Sequence, residues 1–545
     1  MNRKPMNVMF NLIKLVGPLV PVMSIAVITG VIGFLCAIFI PVLGAYVISG
    51  LSYSFTTFVY LILAMGLLRG VFHYIEQLCN HYIAFKILAL IRDKVFMKLR
   101  ELSPAKLEGR KKGELISLIT GDIELLEIFY AHTISPVLIA SLTVIIMVVF
   151  ISHYNIILGL LSLIAYVFVG VVLTFVSGKR NGTLGDDLRE EASYMNSFFL
   201  ESLRGIREVL QFNYGQKRLD KLSELTDNVN NMKKKVALNT GFNSGLNGVS
   251  ILLSSTIFFG VSVYLYKNGQ VSLEGVIVPT VAMFSSFGPV IALSRLGVSL
   301  SSTIASGKRV LDLLDEEPIT EDIYDKESVQ FEGVKLDDVS FSYDDEMILD
   351  SIELEIEKGK IFGISGKSGS GKSTLLKLLM RFWDVNDGKI AISDRDIRDI
   401  NTSDLRNIEG YMTQNTYLFN DTILNNVKIA KLDASNDEVI ESCKKASIHD
   451  FIMTLPKGYE TNVGELGESL SGGQMQRISL ARAFLHSGDI ILLDEPTSNI
   501  DSLNEASILK SIYENRGSTV VLVSHRISTM KICDHIFKLE SGRMS

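Results

Sequence analysis

The sequence predicts an all-α domain of membrane-spanning helices followed by an α/β domain. Long apolar stretches crowd residues 17–300, and 47% of the 545 residues are hydrophobic, with a mean hydropathy of +0.29. Beyond that region, the composition is that of an ordinary α/β domain. Because the chain is too long for a single hydrophobic core, two or more domains are expected.

Six stretches are apolar enough to cross a membrane, since a spanning helix needs about 20 mostly apolar residues. They lie at residues 17–43, 54–80, 134–152, 156–177, 246–266 and 273–300. Only Ser152–Asn155 separates the third stretch from the fourth, which predicts a hairpin. Pro289 predicts a bend in the sixth stretch, because proline interrupts helical hydrogen bonding.

Basic residues predict the orientation of these helices. The short loops near 44–55 and 153–155 contain no Lys or Arg, whereas the long segments 81–133 and 178–245 carry many. Both long segments are therefore expected in the cytoplasm, together with the N-terminus and the C-terminal domain. Their helical patterning predicts that the membrane helices continue well into the cytosol.

A stripe of polar residues lies at membrane depth in the second predicted span: Arg69, His73, Glu76 and Asn80. Their spacing of four, three and four places them on one helical face. A charge in hydrocarbon is costly, so this face is expected to look into the helix bundle or a wet cavity. Two interpretations stay open, a structural ion pair of Arg69 with Glu76 or with a neighbouring helix, and a direct role in binding or gating. His81 follows near the cytoplasmic end, where an interfacial histidine is the common case.

The composition changes after the last apolar stretch, where acidic residues gather around Pro318. An acidic, polar stretch of this kind is typical of a solvated linker. The sequence therefore predicts a membrane domain at residues 1–305, a linker at 306–332 and an α/β domain at 333–545.

The first motif in the α/β domain that indicates a chemical role is a glycine-rich loop. It lies between a strand candidate, Ile361–Ser365, and a helical pattern that begins at Leu375. Loops in this context cradle phosphates, because their backbone N–H groups turn inward and the following helix adds a favourable dipole. Lys372 is expected to reach the β- and γ-phosphates and Ser373 to bind Mg²⁺ through its hydroxyl. The predicted ATP-binding residues of the loop are Gly366, Lys367, Ser368, Gly369, Ser370, Gly371, Lys372, Ser373 and Thr374.

A second motif supplies carboxylates. The run Asp489–Glu495 is typical of a buried parallel strand that ends in two acidic residues. Asp494 is expected to hold the Mg²⁺ shell. Glu495 is expected to orient and deprotonate the attacking water.

The string Leu470-Ser471-Gly472-Gly473-Gln474 follows the phosphate loop along the chain. With the two motifs above, it resembles the signature sequence of the ABC transporter superfamily, whose ATPase domain would cover residues 333–545. The resemblance implies that Ser471 and Gly473, with Gly472 and Gln474 beside them, contact ATP held by the opposite subunit. Two ATP molecules would then lie between two such domains.

The same resemblance implies roles for further residues. Tyr343 matches the aromatic residue that stacks on adenine, Gln414 the loop that touches Mg²⁺ and the membrane domain, and His525 the switch histidine that senses the γ-phosphate. Glu465 resembles the exporter-specific loop near the coupling helices, and Ser498–Asp501 matches the loop after the catalytic carboxylate. The implied catalytic set is Glu495, His525, Gln414 and Lys372, and the implied Mg²⁺ set is Ser373, Gln414 and Asp494.

The membrane half is similar to the exporter type of this superfamily (type I, or type IV), with six spans fused ahead of one ATPase. The resemblance implies a half-transporter that couples ATP hydrolysis to outward transport across a bacterial cytoplasmic membrane. Its expected partners are a small-molecule substrate, the lipid bilayer and a second half-transporter, with a heterodimer favoured and a homodimer open. By family position, segments 104–112 and 204–215 are expected to pass closure of the ATPase domains to the spans. The net charge of −7 offers no basic face for nucleic acid, so none is expected.

A narrower resemblance involves the second span and the loop that follows it, over residues 65–140. This region is similar to cytochrome bd assembly exporters of the CydC/CydD type, heterodimers associated with thiol export and with haem. It implies a thiol or amino-acid-like solute, such as cysteine or glutathione, or a haem-related cargo. The candidate substrate residues are Arg69, His73, Glu76 and His81.

Three questions stay open at this point. His81 matches a histidine linked to haem in that group, whereas Gln77 stands where the group has an arginine, so haem as a cofactor is unsettled. A multidrug or lipid exporter working as a homodimer is the alternative within transport. An ATP-gated membrane regulator or channel is the alternative from another class.

Overall fold

The computed structural model describes residues 5–49, 55–110, 112–181, 184–344, 346–498, 500–514, 517–540 and 542–544. The chain forms two compact units. One contains Met1–Leu99 with Arg110–Glu316, and the other contains Arg100–Gly109 with Glu317–Ser545. The division into domains at residues 305 and 333 stays a prediction, and the helix that passes through residue 306 ends at Leu314.

The described residues before position 315 are almost entirely helical. The α-helices are α1 (Pro5–Leu15), α2 (Val20–Ile48), α3 (Phe55–Leu102), α4 (Lys112–Ser117), α5 (Ile123–Phe129), α6 (Ser135–Tyr154), α7 (Ile156–Val167), α8 (Leu173–Asn181), α9 (Leu184–Arg204), α10 (Ile206–Gln211), α11 (Gly215–Lys267), α12 (Leu273–Ser285) and α13 (Phe287–Leu314). A 3₁₀ turn and three π-helical turns connect some of them, at Gly17–Leu19, Leu118–Asp122, Tyr130–Ile134 and Phe168–Val172.

Six helical spans in the described part of the chain are long and apolar enough to cross a membrane, which confirms the predicted number. They are Gly17–Ile48, Thr56–Leu102, Gly113–Tyr154, Ile156–Gly178, Gly215–Lys267 and Leu273–Leu293. The second and fifth contain 47 and 53 residues. At a rise of about 1.5 Å per residue, each is more than twice as long as the roughly 30 Å hydrocarbon layer. The predicted continuation of membrane helices beyond the bilayer is therefore confirmed in length. Residues 50–54 of the predicted loop near 44–55 lie outside the described residues.

The predicted hairpin between the third and fourth spans is confirmed. Asn155 alone separates α6 from α7, in an extended conformation, and its Oδ1 accepts a hydrogen bond from the backbone N–H of Ile157 at 2.9 Å. Gly159 then allows the two helices to approach, because a Cβ there would lie 1.8 Å from Ser152 Oγ.

The last span is interrupted where the sequence predicts a bend. Ser286 separates α12 from α13, three residues before Pro289, whose ring would clash with the carbonyl of Ser285 in a regular helix. The Ser286 hydroxyl donates to the Met283 carbonyl at 2.8 Å and accepts from Tyr166 at 2.5 Å. The break is therefore held by a neighbouring helix through a buried hydrogen bond.

Polar contacts also fix the long helix α13 within the first unit. The buried carboxylate of Asp122 accepts from Arg309 Nε at 2.6 Å and from Ser306 Oγ at 2.9 Å. Asp122 belongs to a π-helical turn, where the backbone is wider than in an α-helix. Because two side chains of α13 donate to one buried carboxylate, the contact specifies the pairing of α13 with this turn.

The second unit is an α/β fold with two sheets. The strands are β1 (Gly333–Tyr343), β2 (Glu346–Glu357), β3 (Ile361–Ser365), β4 (Asp387–Ile392), β5 (Arg395–Asp396), β6 (Glu409–Met412), β7 (Ile490–Asp494), β8 (Thr519–Val523), β9 (His535–Glu540) and β10 (Arg543–Met544). The helices are α14 (Lys372–Leu379), α15 (Thr402–Ile408), α16 (Ile423–Lys428), α17 (Asn436–Lys445), α18 (His449–Thr454), α19 (Gly472–His486), α20 (Ser502–Glu514) and α21 (Ile527–Met530). One sheet is antiparallel, in the order β2-β1-β4-β5, and the other has the order β10-β9-β3-β8-β7-β6, parallel from β9 to β6.

The parallel sheet is buried on both faces. Ile490 and Leu492 of β7 belong to the core that packs under the antiparallel sheet, whereas Ile491 and Leu493 belong to the core on the other face. Side chains alternate between the two faces of a strand, so a strand covered on both sides must be apolar at every position. This is the reason for the uninterrupted apolar run before Asp494 in the sequence.

Replacing a core side chain of this sheet should destabilise the protein. Leu522 of β8 is fully buried, and Leu522→Ala should lower the free energy of unfolding by about 2–5 kcal/mol through lost burial and a cavity. The matched control is Leu432→Ala, where the side chain is 81% exposed. Thermal unfolding of the purified variants measures both changes, and equal shifts for the two would contradict the assigned core.

Candidate ATP-binding site

Sheet topology collects the predicted site residues at one edge. The phosphate loop follows β3, Gln414 follows β6, Glu495 follows β7 and His525 follows β8. The strand order β3-β8-β7-β6 places these strands side by side. The carboxyl ends of parallel strands meet at the same edge of a sheet, where ligands of α/β folds bind. Residues far apart in the sequence are thus brought to one place.

The phosphate loop has the backbone conformation that its glycines permit. Gly369 and Gly371 have φ angles of +81° and +99°, in the left-handed region that favours glycine. A Cβ on Gly366 would lie 2.3 Å from the carbonyl oxygen of Leu539, so no larger residue fits there. The loop leads directly into α14, whose first residue is Lys372.

Lys372 closes the loop from inside. Its ammonium is buried and donates to the carbonyl oxygens of Gly366 at 3.0 Å and Lys367 at 2.7 Å. Phosphate oxygens are stronger hydrogen-bond acceptors than neutral carbonyls. A phosphate bound in the loop would therefore draw the Lys372 ammonium away from these two carbonyls. Within the described ranges, the buried hydroxyl oxygen of Ser370 has no hydrogen-bond partner, which suits a loop that binds a further polar group.

Asp494 and Ser373 fit the requirements of a Mg²⁺ site. Asp494 is buried at the end of β7, and burial raises the pKa of its carboxyl, while a hydrogen bond from Ser373 acts in the opposite direction and the charge of Glu495 raises it further. One carboxylate oxygen, Oδ1, is buried and has no hydrogen-bond partner in the described part of the chain. Such an orphaned oxygen next to a hydroxyl matches the oxygen ligands that Mg²⁺ takes.

Glu495 lies at the centre of a cluster built from three neighbouring strand ends. Gln414 Nε2 donates to its Oε2 at 3.3 Å, and His525 Nδ1–H donates to its Oε1 at 3.0 Å. The residue has a φ of +51°, a conformation that is strained for a side chain of this type. Its backbone N–H donates to the carbonyl of Val523 at 3.0 Å, which holds it there. The structure therefore brings together three of the four predicted catalytic residues.

Two further residues support this cluster and were missed in the sequence. Gln476 is buried in α19 and donates through Nε2 to the Glu495 carbonyl at 3.3 Å and to Ser498 Oγ at 2.8 Å. Arg526 donates to the Ser498 carbonyl at 2.9 Å. The available signal for Gln476 was its position four residues before Leu480, on the buried side of α19. Asn499, in the loop predicted after the carboxylate, lies outside the described residues.

Tyr343 ends β1 and is partly buried. Its ring meets Phe341 and Trp383 edge-on, with ring centroids 4.9 Å and 5.5 Å away. Edge-to-face packing of this kind fixes ring orientation. Trp383, the single tryptophan of the chain, was not singled out in the sequence and acts here as the support of Tyr343.

The signature residues form the start of α19. Ser471 is the N-cap, with a reciprocal capping box to Gln474: the Gln474 N–H donates to Ser471 Oγ at 3.3 Å, and the Ser471 N–H donates to Gln474 Oε1 at 2.8 Å. Ser471 and Gly472 are exposed, and Gly473 is partly exposed. The free N–H groups of a helix start attract anions, so this surface suits a phosphate brought to it from outside. Glu465 lies exposed in a separate 3₁₀ turn, Glu465–Gly467.

The polar stripe of the second span divides into two parts. Glu76 and Asn80 are buried, whereas Arg69 and His73 are exposed. Glu76 pairs with His73, whose Nδ1 lies 3.1 Å from Glu76 Oε2. The Glu76 side chain also lies close to the backbone of α2, because a Cβ on Gly30 would be 3.2 Å from its carboxyl carbon. The structural pair of Glu76 thus involves His73, one turn away, where the sequence suggested Arg69.

His81 lies in a small cluster lower on the same helix. Its Nδ1 is 3.7 Å from Glu127 Oε1, and its ring meets His132 edge-on at 5.8 Å and stacks on Phe85 at 6.1 Å. Among the residues that the structure describes, no group of three or more His, Cys, Asp or Glu side chains is arranged to hold a metal ion. The His81 ring contacts the side chains of Glu127, His132 and Phe85, on several of its sides.

Two sequence families match the chain. The family described as ABC transporter transmembrane region matches residues 20–290, and the family described as ABC transporter matches residues 349–498. A probable ABC transporter ATP-binding/permease protein of Haemophilus influenzae is 44% identical over 547 residues, 99% of each chain. An ATP-dependent lipid A-core flippase of Syntrophus aciditrophicus is 30% identical and covers 89% of this chain and 81% of its own.

Similar proteins differ in the cargo that their names give. A putative multidrug export ATP-binding/permease protein of Bacillus subtilis is 30% identical over 98% of this chain and 95% of its own. Among solved structures, a bacterial Atm1-family ABC exporter with ATP bound superimposes with a TM-score of 0.83 at 24% identity, over 97% of this chain and 94% of that one. In the residues that the structure describes, six spans precede one ATPase domain, as in the half-transporters that function as dimers. The chain belongs to the ABC transporter family and is a multi-pass membrane half-transporter of exporter type, which couples ATP hydrolysis to transport.

Proposed function

We propose that the protein is one half of an ATP-driven exporter in a bacterial cytoplasmic membrane, with the N-terminus and ATPase domain in the cytoplasm. The observation that carries the proposal is the hydrogen-bonded cluster of Glu495, Gln414 and His525 beside a complete phosphate loop. The orientation is supported by the basic residues of segments 81–133 and 178–245, since positively charged loops stay inside. Segments 104–112 and 204–215 would pass domain closure to the spans.

Each residue of the phosphate site has a task in holding ATP. The backbone N–H groups of 366–374 surround the phosphates, Lys372 moves from the loop carbonyls to the β- and γ-phosphates, and Tyr343 stacks on adenine. Ser373 and Asp494, with Gln414, would hold Mg²⁺, for which Asp494 offers its free oxygen. The chemistry that Mg²⁺ supplies when bound is neutralisation of charge on the β- and γ-phosphate oxygens.

Glu495 acts as the general base of hydrolysis. Its carboxylate orients a water molecule against the γ-phosphate and accepts a proton from it. His525 and Gln414 fix both carboxylate oxygens and thus the direction of that contact. The exposed start of α19 would meet the γ-phosphate of the opposite subunit, through Ser471 and Gly473. ATP then binds the closed pair of ATPase domains more tightly than the open pair, and this difference drives the transport cycle.

The substitution Glu495→Gln should retain ATP binding and lose hydrolysis at its own site. A neutral amide can accept a hydrogen bond from water but cannot take its proton, and loss of a general base costs about 10²–10⁴-fold in rate. The measurement is steady-state ATPase activity of the purified complex, with ATP binding followed in parallel. Exposed Glu353 of β2 supplies the control, Glu353→Gln, which should leave the rate unchanged.

Residual activity of the Glu495→Gln complex has one permitted source, a competent site contributed by a different partner subunit. Determining whether the complex contains one chain or two removes that ambiguity. An unchanged rate in a complex made only of Glu495→Gln chains would contradict the role of Glu495.

For the cargo, we propose a small thiol or amino-acid-like solute that carries a carboxylate, such as cysteine or glutathione. The support comes from Arg69 and His73, which are exposed on one face of α3 at the spacing of one helical turn. A guanidinium there can bind a carboxylate with two hydrogen bonds. A heterodimeric partner and haem as a cofactor belong to the same proposal through the resemblance to the CydC/CydD type, and His81 is the residue that would carry haem. The ATPase cycle described above does not require haem.

A lipid or multidrug cargo is the second candidate. It is favoured by the names of the relatives from Syntrophus aciditrophicus and Bacillus subtilis. Apolar side chains such as Leu67, Val71 and Tyr74 are also exposed along α3, which would suit an apolar ligand.

A panel of solutes should separate the two cargo classes. ATPase activity of the purified complex is expected to rise with cysteine or glutathione, and Arg69→Gln should weaken the apparent affinity for that solute roughly tenfold, as for a lost charge-assisted hydrogen bond. Lys86→Gln, an exposed lysine on the same helix, is the control. Stimulation by lipids or cationic drugs alone would contradict the thiol or amino-acid-like cargo, and stimulation by haem alone would move the proposal to a haem-related solute.

A further inference from the structure

One short segment departs from its neighbours in the chain. Arg100–Gly109 comprises the last three residues of α3 and the turn that follows, and it packs within the same compact unit as the ATPase fold. After α3 ends at Leu102, the segment turns back on itself, with the Glu108 N–H donating to the Pro104 carbonyl at 2.9 Å. Ala105 packs against the core under the antiparallel sheet. The segment thus holds a defined position in this unit.

Glu108 forms an ion pair with Lys377. Lys377 lies on α14, the helix that begins at the phosphate loop, four residues after Ser373. Residues four apart lie on the same face of a helix, one turn from each other. The carboxylate of Glu108 is therefore attached to the helix that positions the Ser373 hydroxyl beside Asp494.

The same ammonium also contacts the aromatic support of the adenine side. Lys377 Nζ lies 5.4 Å from the ring centroid of Trp383, within the range of a cation–π interaction. Trp383 in turn supports Tyr343, at 5.5 Å between ring centroids. Lys377 thus lies on the helix that begins at the phosphate loop and contacts the ring that supports Tyr343 on the adenine side.

We propose that Lys377 is a positioning residue for ATP hydrolysis, and that its ion pair with Glu108 makes the nucleotide site depend on the segment Arg100–Gly109. The inference rests on the proposed function, because it assumes that this segment couples the spans to the ATPase. Movement of the segment displaces the Glu108 carboxylate. That displacement acts on α14 and on the Trp383–Tyr343 pair through a single ammonium group.

The surroundings favour a positioning role over a contribution to stability. The side chains of Lys377 and Glu108 are 23% and 47% exposed, and ion pairs of this exposure add little to folding. A cavity of about 300 Å³ lies beside the segment, between Ser103 and Pro104 on one side and Arg381 and Phe382 on the other. On this side, the segment is therefore not packed continuously against the residues that follow α14.

The helix itself gives a second route to the same site. Ser373, which the proposed function assigns to Mg²⁺, lies one turn before Lys377 on α14. The Mg²⁺ dependence of the ATPase is thus a readout that a purely structural role of Lys377 would not change.

The test is a charge exchange in the full-length complex. Lys377→Glu and Glu108→Lys should each raise the KM for ATP and the half-saturating Mg²⁺ concentration by roughly threefold or more, the size expected for a partly exposed pair. The double exchange should perform better than the product of the two single effects, because the pair is restored with reversed charges. Lys377→Arg, which keeps the charge and the contact with Trp383, should remain close to wild type.

Controls separate this inference from the proposed function. Elsewhere in the unit, Lys431→Gln removes the ion pair of Lys431 with Glu438, whose side chains are 41% and 47% exposed, and it should change neither constant. Equal melting temperatures exclude a folding defect as the cause. Additive effects in the double exchange, or single variants with wild-type KM and Mg²⁺ dependence, would overturn the role of the pair. An inactive wild-type complex would instead overturn the proposed function itself.

Discussion

The parallel sheet is the constraint on which the nucleotide site depends. Backbone hydrogen bonds pair Met412 with Leu493 and Leu493 with Leu522 across β6, β7 and β8. This register sets the ends of the three strands level, so Gln414, Glu495 and His525 meet although 81 and 30 residues separate them in the sequence. The strained backbone at Glu495 is tolerated because the sheet and the Val523 carbonyl hold it.

Local sequence patterns predicted much of this architecture. Long apolar runs predicted six spans, and the glycine loop between strand and helix predicted the phosphate site, because each depends on residues close together in the chain. The bend before Pro289 was predictable for the same reason. What could not be predicted were tertiary contacts such as Gln476 to Glu495 and Trp383 to Tyr343, since neither partner's position follows from spacing alone.

The polar stripe of the second span shows the limit of helical spacing. Spacing placed Arg69, His73, Glu76 and Asn80 on one face, but a face of a long helix need not be buried along its whole length. In the structure, the turn with Glu76 and Asn80 is buried, and the turn with Arg69 is exposed. The contact of Glu76 with His73 offsets part of the free-energy cost of burying the Glu76 carboxyl. This division makes the exposed part the better candidate for cargo.

Transport against a gradient is the central claim, and flux in proteoliposomes tests it most directly. The purified complex is reconstituted with its ATPase domains facing outward, and uptake of labelled glutathione or of the most stimulating solute is followed with and without Mg-ATP. Accumulation above the external concentration that requires hydrolysable ATP is the predicted result. If ATP only allows the solute to equilibrate passively across the membrane, without accumulation, the result would contradict a pump and identify an ATP-gated channel.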